Sequence, residues 1–276
     1  MVDLHLHTIA SDGRLTPAEL VDLAAANGVS VMAVTDHDTV GSCRDVADAA
    51  SRRGIEAVAG IEITAVEAGR DVHMLGYFFD IDHPALRDFL AAQRKTRVAR
   101  VERIAQRLDE LGMRVNVAPV IAAAAARGRT IGRPQVADGM IAAGHVASRR
   151  EAFERWLGSG RPAFIARDGA APEAVIEIMH AAGGLISLAH PGRTCLDDQR
   201  IGQLAAAGLD AIEVYHSDHT AETVARYAAL AERLGSLRTG GSDFHGDPSY
   251  PLTPGSVSLP AEHWVSLRDL SRRRRH

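Results

Sequence analysis

A chain of 276 residues, 46% hydrophobic and only 4% aromatic, has room for one α/β barrel with an insertion, is too apolar to be disordered, and must build its core mainly from Ala, Val, Leu and Ile. The formal charge of −4 is unevenly spread: residues 82–165 carry 15 Arg/Lys against 8 Asp/Glu, while the remainder carries 16 against 27. A basic segment beside an acidic body suits a small polyanionic ligand, and the acidic body argues against a stable nucleic-acid partner.

In chain order, Val2, Leu4 and Leu6 alternate with Asp3, His5 and His7, the period of a strand. Thr16-Pro17-Ala18-Glu19 has the form of a capping box opening a helix that Gly28 closes. Strands are predicted at Val29–Val34, Ile55–Ile63 and Val72–Phe79, with a helix over 42–53. From Asp82 to about Arg114 one long charged helix is predicted, and shorter helices run on to Trp156 without a convincing strand. The βα alternation then resumes with a helix at 172–182, a strand at Leu185–Ala189, a helix near 198–207, a strand at Ala211–Tyr215, a helix at 220–234 and a short strand into Gly240-Gly241. Such repeated units imply parallel strands, closed into a barrel or left as an open sheet.

No apolar run is long enough to span a bilayer, and the start Met1-Val2-Asp3-Leu4-His5 has neither a basic nor an apolar leader. Cys43 and Cys195 form no CxxC pair. The expectation is a reduced, cytoplasmic protein without a membrane partner, and the Arg272–Arg275 run reads as a frayed tail.

The chemistry is signalled by where the ligand-type residues fall. His5 and His7 point to one face of the first strand, and Asp12 follows it. His37 follows the second strand, Glu62 ends the third, His73 lies on the fourth, His190 ends the Leu185–Ala189 strand, and Asp243 and His245 follow the last. All are expected at or near the C-terminal ends of strands, which in a parallel barrel share one rim. Six imidazoles and three carboxylates on one rim suit divalent cations that prefer nitrogen and oxygen ligands. Of the other histidines, His216 and His219 follow the Ala211–Tyr215 strand and reach the same rim, whereas His83, His145, His180, His263 and His276 read as packed or surface residues.

The stretches Asp3-Leu4-His5-Leu6-His7, Thr35-Asp36-His37-Asp38, Gly60-Ile61-Glu62-Ile63-Thr64, Ala189-His190-Pro191-Gly192 and Gly241-Ser242-Asp243-Phe244-His245 resemble the PHP (polymerase and histidinol phosphatase) superfamily. The resemblance implies an α/β fold, a distorted (β/α)7 barrel formed by residues 1–81 and 166–276, with a helical lid inserted at 82–165. It implies two to three divalent metal ions, with manganese expected and zinc or iron as alternatives. One metal would take His5, His7 and Asp243 with bridging Glu62, a second Glu62, His73 and His190, and a third Asp12, His37 and His245. The insertion and Ser11-Asp12-Gly13-Arg14-Leu15-Thr16-Pro17 are similar to the branch acting on nucleoside 3′,5′-bisphosphates and to its 5′-to-3′ exoribonuclease relatives. The implied substrate is therefore a nucleotide or short oligonucleotide, and the implied enzyme a metal-dependent phosphoesterase.

No Ser or Cys nucleophile motif appears, so attack on phosphorus by water activated between the metals is expected, with Glu62 and Asp243 at its centre. Arg193, Arg133 and Arg161 are candidate phosphate contacts, and His219 is a candidate for the leaving group or a phosphate oxygen. The alternatives are a histidinol-phosphate phosphatase, whose second and third motifs usually differ more, and an amidohydrolase-type C–N hydrolase. Against the latter, the one lysine, Lys95, is far from any strand end. A metal-stabilised nucleic-acid-binding module is disfavoured by the acidic body.

Overall fold

The computed structural model describes residues 1–126, 128–194, 196–248 and 250–274. The readings of Cys195, Arg275 and His276 fall outside the described residues. Cys43 is a free, half-buried thiol, and no described helix is long and apolar enough to cross a membrane.

Seven strands follow one another around a single sheet: β1 (Val2–Leu6), β2 (Val31–Val34), β3 (Glu56–Glu67), β4 (Arg70–Tyr77), β5 (Leu185–Leu188), β6 (Ala211–His216) and β7 (Leu237–Gly241). The residues after β7 return to β1: Leu6 bridges Phe244, the His7 amide donates to the Phe244 carbonyl at 3.0 Å, and the Asp243 amide donates to the His5 carbonyl at 2.9 Å. These bonds bring the sheet round into a nearly closed barrel. A Cβ on Gly241 would stand 2.4 Å from the His5 amide nitrogen, so only glycine allows β7 so near β1.

The expectation of all-parallel strands holds for β1–β2–β3 and β5–β6–β7 but fails for β4, which pairs antiparallel with both β3 and β5. The cause is local. Ala68 (φ 48°) and Gly69 (φ 74°) form a two-residue reversal with positive φ at both positions, the geometry that suits the twist of a tight hairpin. Consequently Glu62 lies within β3 rather than at its end, and His73 lies in the first half of β4; strand reversal carries His73 to the common rim.

Helices α1 (Pro17–Ala26) and α2 (Cys43–Arg53) cover β1 and β2 through Leu20, Val21, Val46 and Ala50, against Leu6, Met32 and Val34. The expected capping box is formed: the Glu19 amide donates to Thr16 Oγ1 at 3.3 Å, and the Thr16 amide to Glu19 Oε2 at 2.8 Å. Between β4 and β5 come α3 (Pro84–Glu110), α4 (Ala118–Ala126), α5 (Arg133–Ala142), α6 (Arg149–Ala152) with a π turn at Phe153–Leu157, and α7 (Pro172–Ala181). Helix α3 joins two apolar clusters: Leu86 and Leu90 pack with β3–β6, whereas Val101, Ile104 and Leu108 pack with Val136, Met140 and Leu157.

After β5, a 3-10 turn (Pro191–Arg193) leads to α8 (Asp198–Ala206), and α9 (Ala221–Leu234) follows β6. A final helix, α10 (Ala261–Arg274), absent from the sequence reading, packs Trp264 and Leu267 against a cluster containing Leu4, Ala33 and Leu75. The expected frayed tail is thus corrected as far as Arg274. Its guanidinium donates to the Gly184 carbonyl at 3.0 Å and pairs with Asp210.

Candidate metal centre

The site is organised around Glu62, a buried carboxylate within β3. Its Oε2 lies 3.1 Å from His5 Nε2, 3.2 Å from His7 Nε2 and 3.3 Å from His37 Nδ1. Its Oε1 lies 2.7 Å from His73 Nδ1 and 3.1 Å from His190 Nε2. Five imidazoles from four segments therefore converge on one carboxylate. Asp243 Oδ1 adds a second focus, 3.2 Å from both His5 Nε2 and His7 Nε2. Asp12 makes a third, with His245 Nε2 at 3.3 Å, His37 Nε2 at 3.7 Å and His7 Nδ1 at 3.8 Å.

The backbone is bent to achieve this. His190 (φ 24°) and Asp243 (φ 55°) occupy the sparsely populated left-handed region, a cost that functional sites sustain more often than simple turns. Asp36 secures the loop carrying Asp12 by accepting from the Thr8 amide (2.8 Å), Thr8 Oγ1 (2.7 Å) and Ser11 Oγ (2.7 Å). Asp3 ties β1 to the chain after β7, accepting from the Ser242 amide (3.0 Å) and Ser242 Oγ (2.7 Å).

These residues fit divalent cations. Ligands about 2.0–2.2 Å from one ion stand roughly 3.0–3.5 Å apart, the range of most separations here. Among the described residues, His7 Nε2 and His37 Nδ1, both facing Glu62, are buried without a hydrogen-bond partner, an expense that metal coordination removes. Among the described residues, ligand atoms gather in four sets: His5/His7/Glu62/Asp243, His7/Asp12/His37/His245, His37/Glu62/His73 and His5/Glu213/His216. The first set gathers the residues expected around one ion, the second adds His7 to those expected around another, and the third has His37 where His190 was expected. In the others His37 serves both Asp12 and Glu62, a sharing that sequence order does not reveal.

Protonation follows the same geometry. Burial favours the neutral form of Glu62, but the imidazoles of His73 and His5 and the hydrogen bond from His190 hold its carboxyl well below the usual range. Burial likewise opposes charge on His7, yet Asp243 and Glu62 lift it to about 10. His37 is pushed down to about 3 by burial, and burial also lowers His190, leaving both neutral with lone pairs to share. Positive charge is thus drawn to the Glu62–Asp243 side, where a cation competes with protons.

Three cavities adjoin the cluster. One of about 270 Å³ opens over Glu62, His37, His73, His190 and Asp243 and is also lined by Arg133 and Arg193. A second, of about 420 Å³, is walled by Pro134, Phe153, Tyr250 and Leu252 with Arg149 and Arg150, and reaches Asp12, Asp243 and His245. A third, of about 130 Å³, lies beside His37 and His73.

The phosphate-contact candidates separate. Arg193 Nη1 lies 3.3 Å from Asp243 Oδ2, and its Nη2 pairs with Asp218. Arg133 Nη2 lies 3.1 Å from Asp71 Oδ2. Arg161, in contrast, is exposed and lines none of the three cavities. His219 is also corrected: its Nδ1 donates to the Val214 carbonyl at 2.9 Å, its Nε2 accepts from the Gly192 amide at 3.3 Å, and it lines none of these cavities. Both ring nitrogens are engaged, so it braces the turn after His190.

The family model described as the PHP domain matches residues 3–180. The chain belongs to the PHP family. It is 33% identical over 278 residues to the 3′,5′-nucleoside bisphosphate phosphatase of Chromobacterium violaceum, covering 98% of this chain and 94% of that one. It is 36% identical over 250 residues to the 5′-3′ exoribonuclease of Haemophilus influenzae, covering 88% and 89%. A crystal structure from Bifidobacterium adolescentis, described as that of a metal-dependent phosphoesterase, superposes with a TM-score of 0.88 at 32% identity, covering 96% and 94%.

Two acids of this PHP chain escaped the sequence reading. Glu213, fully buried in β6, accepts from His5 Nδ1 at 2.9 Å and from the His190 amide at 2.6 Å. The available signal was a glutamate set within the apolar run Ala211-Ile212-Glu213-Val214. Asp71, two residues before His73, collects Arg100 and Arg133, a role that no local motif announces. His216, the last residue of β6, lies beside the site as expected of a residue following Ala211–Tyr215, with Nε2 3.3 Å from Asp243 Oδ2.

Proposed function

We propose that this PHP chain is a metal-dependent phosphoesterase that removes a phosphate from nucleotides. Nucleoside 3′,5′-bisphosphates are its preferred substrates, and short 5′-phosphorylated RNA is a related one. The single observation that carries this reading is Glu62, held by five imidazoles beneath a cavity also lined by two arginines. Similarity to a bisphosphate phosphatase and an exoribonuclease supports the substrate class.

The metal ligands in this reading are His5, His7, Asp12, His37, Glu62, His73, His190, Asp243 and His245, holding two to three ions. Manganese is favoured, with zinc or iron as alternatives, since all the ligands are nitrogen or oxygen. Bound there, divalent cations supply charge neutralisation for phosphate oxygens and acidify water for attack on phosphorus. The protein contributes orientation. Arg193 and Arg133 donate to phosphate oxygens from opposite chain segments, and the larger cavity, with Phe153 and Tyr250, offers an apolar place for the nucleoside.

Cys43 is no competing nucleophile, because burial pushes its thiol up to about 12. Residues 82–165 act as a lid on the barrel formed by 1–81 and 166–276, and Arg133 belongs to that lid. A cytoplasmic location suits the free thiol. An amidohydrolase with a bridging carboxylated lysine is disfavoured, because Lys95 is exposed on α3.

The test is a panel of manganese-loaded assays against nucleoside 3′,5′-bisphosphates, the corresponding monophosphates, histidinol phosphate and N-acyl amino acids. The bisphosphates are expected to give the highest kcat/KM. Preference for histidinol phosphate, or hydrolysis of N-acyl amino acids alone, contradicts the reading.

A further inference from the structure

The loops carrying Asp12 and His37 are gripped by residues between β4 and β5. Thr130, just before α5, donates twice: its amide to the Ala10 carbonyl at 3.0 Å and its Oγ1 to the His37 carbonyl at 2.7 Å. Gln135 on α5 donates its Nε2 to the Ser11 carbonyl at 2.8 Å, and Arg149 on α6 donates its Nη1 to the Asp12 carbonyl at 3.3 Å. Three consecutive carbonyls of one ligand loop, and one of the other, thus accept from the same inserted segment. The donors are themselves held. Gln135 Oε1 accepts from the Gly132 amide at 2.7 Å, Arg149 is paired with both oxygens of Asp138, and Thr130 is buried.

The remaining candidate ligands are fixed by the barrel. Glu62 and His73 lie in the β3–β4 ladder, the His7 and Asp243 amides take part in the closure of β7 on β1, and the His190 amide is bound by Glu213. Asp12 stands instead on a connecting loop, where few ladder bonds resist local opening. Asp36 holds that loop through Thr8 and Ser11, but the Ala10, Ser11 and Asp12 carbonyls face the insertion. Separations around Asp12 run from 3.3 to 3.8 Å, against 2.7 to 3.3 Å around Glu62.

We propose that Thr130 is a positioning residue for the cation held by Asp12, His37 and His245, and that this ion binds in step with docking of the segment from Thr130 to Arg149. The proposal rests on the metal-ligand reading above and adds which ion the insertion controls. One residue spans both loops, with its amide on the Asp12 side and its hydroxyl on the His37 side. It therefore sets the 3.7 Å between His37 Nε2 and Asp12 Oδ2. His37 is also bridged to Glu62 on β3, so loss of the hydroxyl shifts His37 relative to Asp12 more than to Glu62. Coupling of this kind is reciprocal: the ion in turn holds the insertion against the barrel.

The deciding experiment titrates manganese into the full chain, stripped by chelator, and follows binding by calorimetry with elemental analysis. Thr130→Val keeps the branched shape and removes the donor, Thr130→Ser keeps the donor, and Asp12→Asn identifies the class of site concerned. Thr130→Val should weaken one class roughly three- to ten-fold, the worth of one hydrogen bond. That class should be the one Asp12→Asn abolishes, the others should be unchanged, and Thr130→Ser should bind as wild type does. Adding Thr130→Val to Asp12→Asn should change nothing further. Unchanged binding in Thr130→Val, equal weakening of every class, weakening of a class that survives Asp12→Asn, or failure of Thr130→Ser to restore affinity overturns the proposal.

Hydrogen exchange read by mass spectrometry gives a second measurement that does not depend on the folding of Thr130→Val. Residues 128–136 should gain protection when manganese is added to wild type, and should not gain it in Asp12→Asn. Equal protection with and without manganese, or an equal gain in both proteins, overturns the coupling. Absence of manganese binding by wild type defeats the metal-ligand reading and this inference together. Binding with the expected selectivity but no phosphate release defeats the phosphoesterase reading alone.

Discussion

Glu213 Oε1 accepts a hydrogen bond from His5 Nδ1 at 2.9 Å, while His5 Nε2 faces Glu62 and Asp243. The bond fixes which nitrogen carries the proton and turns the other lone pair inward. Carboxylates behind ligand histidines do this in many metal sites, and they raise the basicity of the ring. Glu213 also accepts from the His190 amide at 2.6 Å, so it steadies a second candidate ligand in a strained conformation.

Glu213→Gln should therefore weaken metal binding by roughly ten- to a hundred-fold while leaving the barrel folded. Metal titration of the stripped protein, alongside circular dichroism, reads this directly. Unchanged affinity would show that the bond does no more than fill the core.

Glu62→Gln keeps the shape of the side chain but removes the charge facing five imidazoles. Turnover should drop to background, and bound metal should fall by at least one equivalent. A folded variant with full metal content and wild-type turnover refutes the central place given to Glu62.

Asp71 supplies a pH dependence. Burial favours its neutral form, but Arg100 and Arg133 more than offset this and hold it at about 2, against 3.8 for a free carboxyl. Its contribution is fully present above the unfolded value and is lost as pH falls from about 4 toward 2. In acid titrations the Asp71→Asn protein should lose less stability than wild type across that window. Parallel curves for the two proteins would show that Asp71 does not couple there.

His219 offers a discriminating negative. A leaving-group acid contributes about 10²- to 10⁴-fold, and its loss removes a limb of the pH–rate profile. Both His219 nitrogens are bonded within the protein. His219→Ala should therefore cost less than about ten-fold in kcat, with the shape of the profile unchanged. Loss of the alkaline limb restores it as the acid.

The sequence made β1, α1 and most candidate ligand positions legible because each had a local signal. Alternation marked the strand, Thr16-Pro17-Ala18-Glu19 marked the helix start, and histidines stood beside apolar runs. Strand direction was less legible. β3 and β4 are linked only by Ala68-Gly69, and their apolar runs do not reveal whether the chain reverses. The sharing of His37 between Asp12 and Glu62 depends on rim curvature, which no spacing along the chain encodes. The arginines failed differently: in an arginine-rich chain, Arg161 and Arg167 look alike, yet one is exposed and the other buried beside Asp38.

The most direct measurement is elemental analysis paired with phosphate release from a nucleoside 3′,5′-bisphosphate, before chelation, after it, and on return of manganese. Two to three metal equivalents are expected in gently purified protein, with activity lost on stripping and restored as metal is returned. Well under one equivalent at full activity, or turnover that survives complete stripping, contradicts a metal-dependent phosphoesterase centred on Glu62.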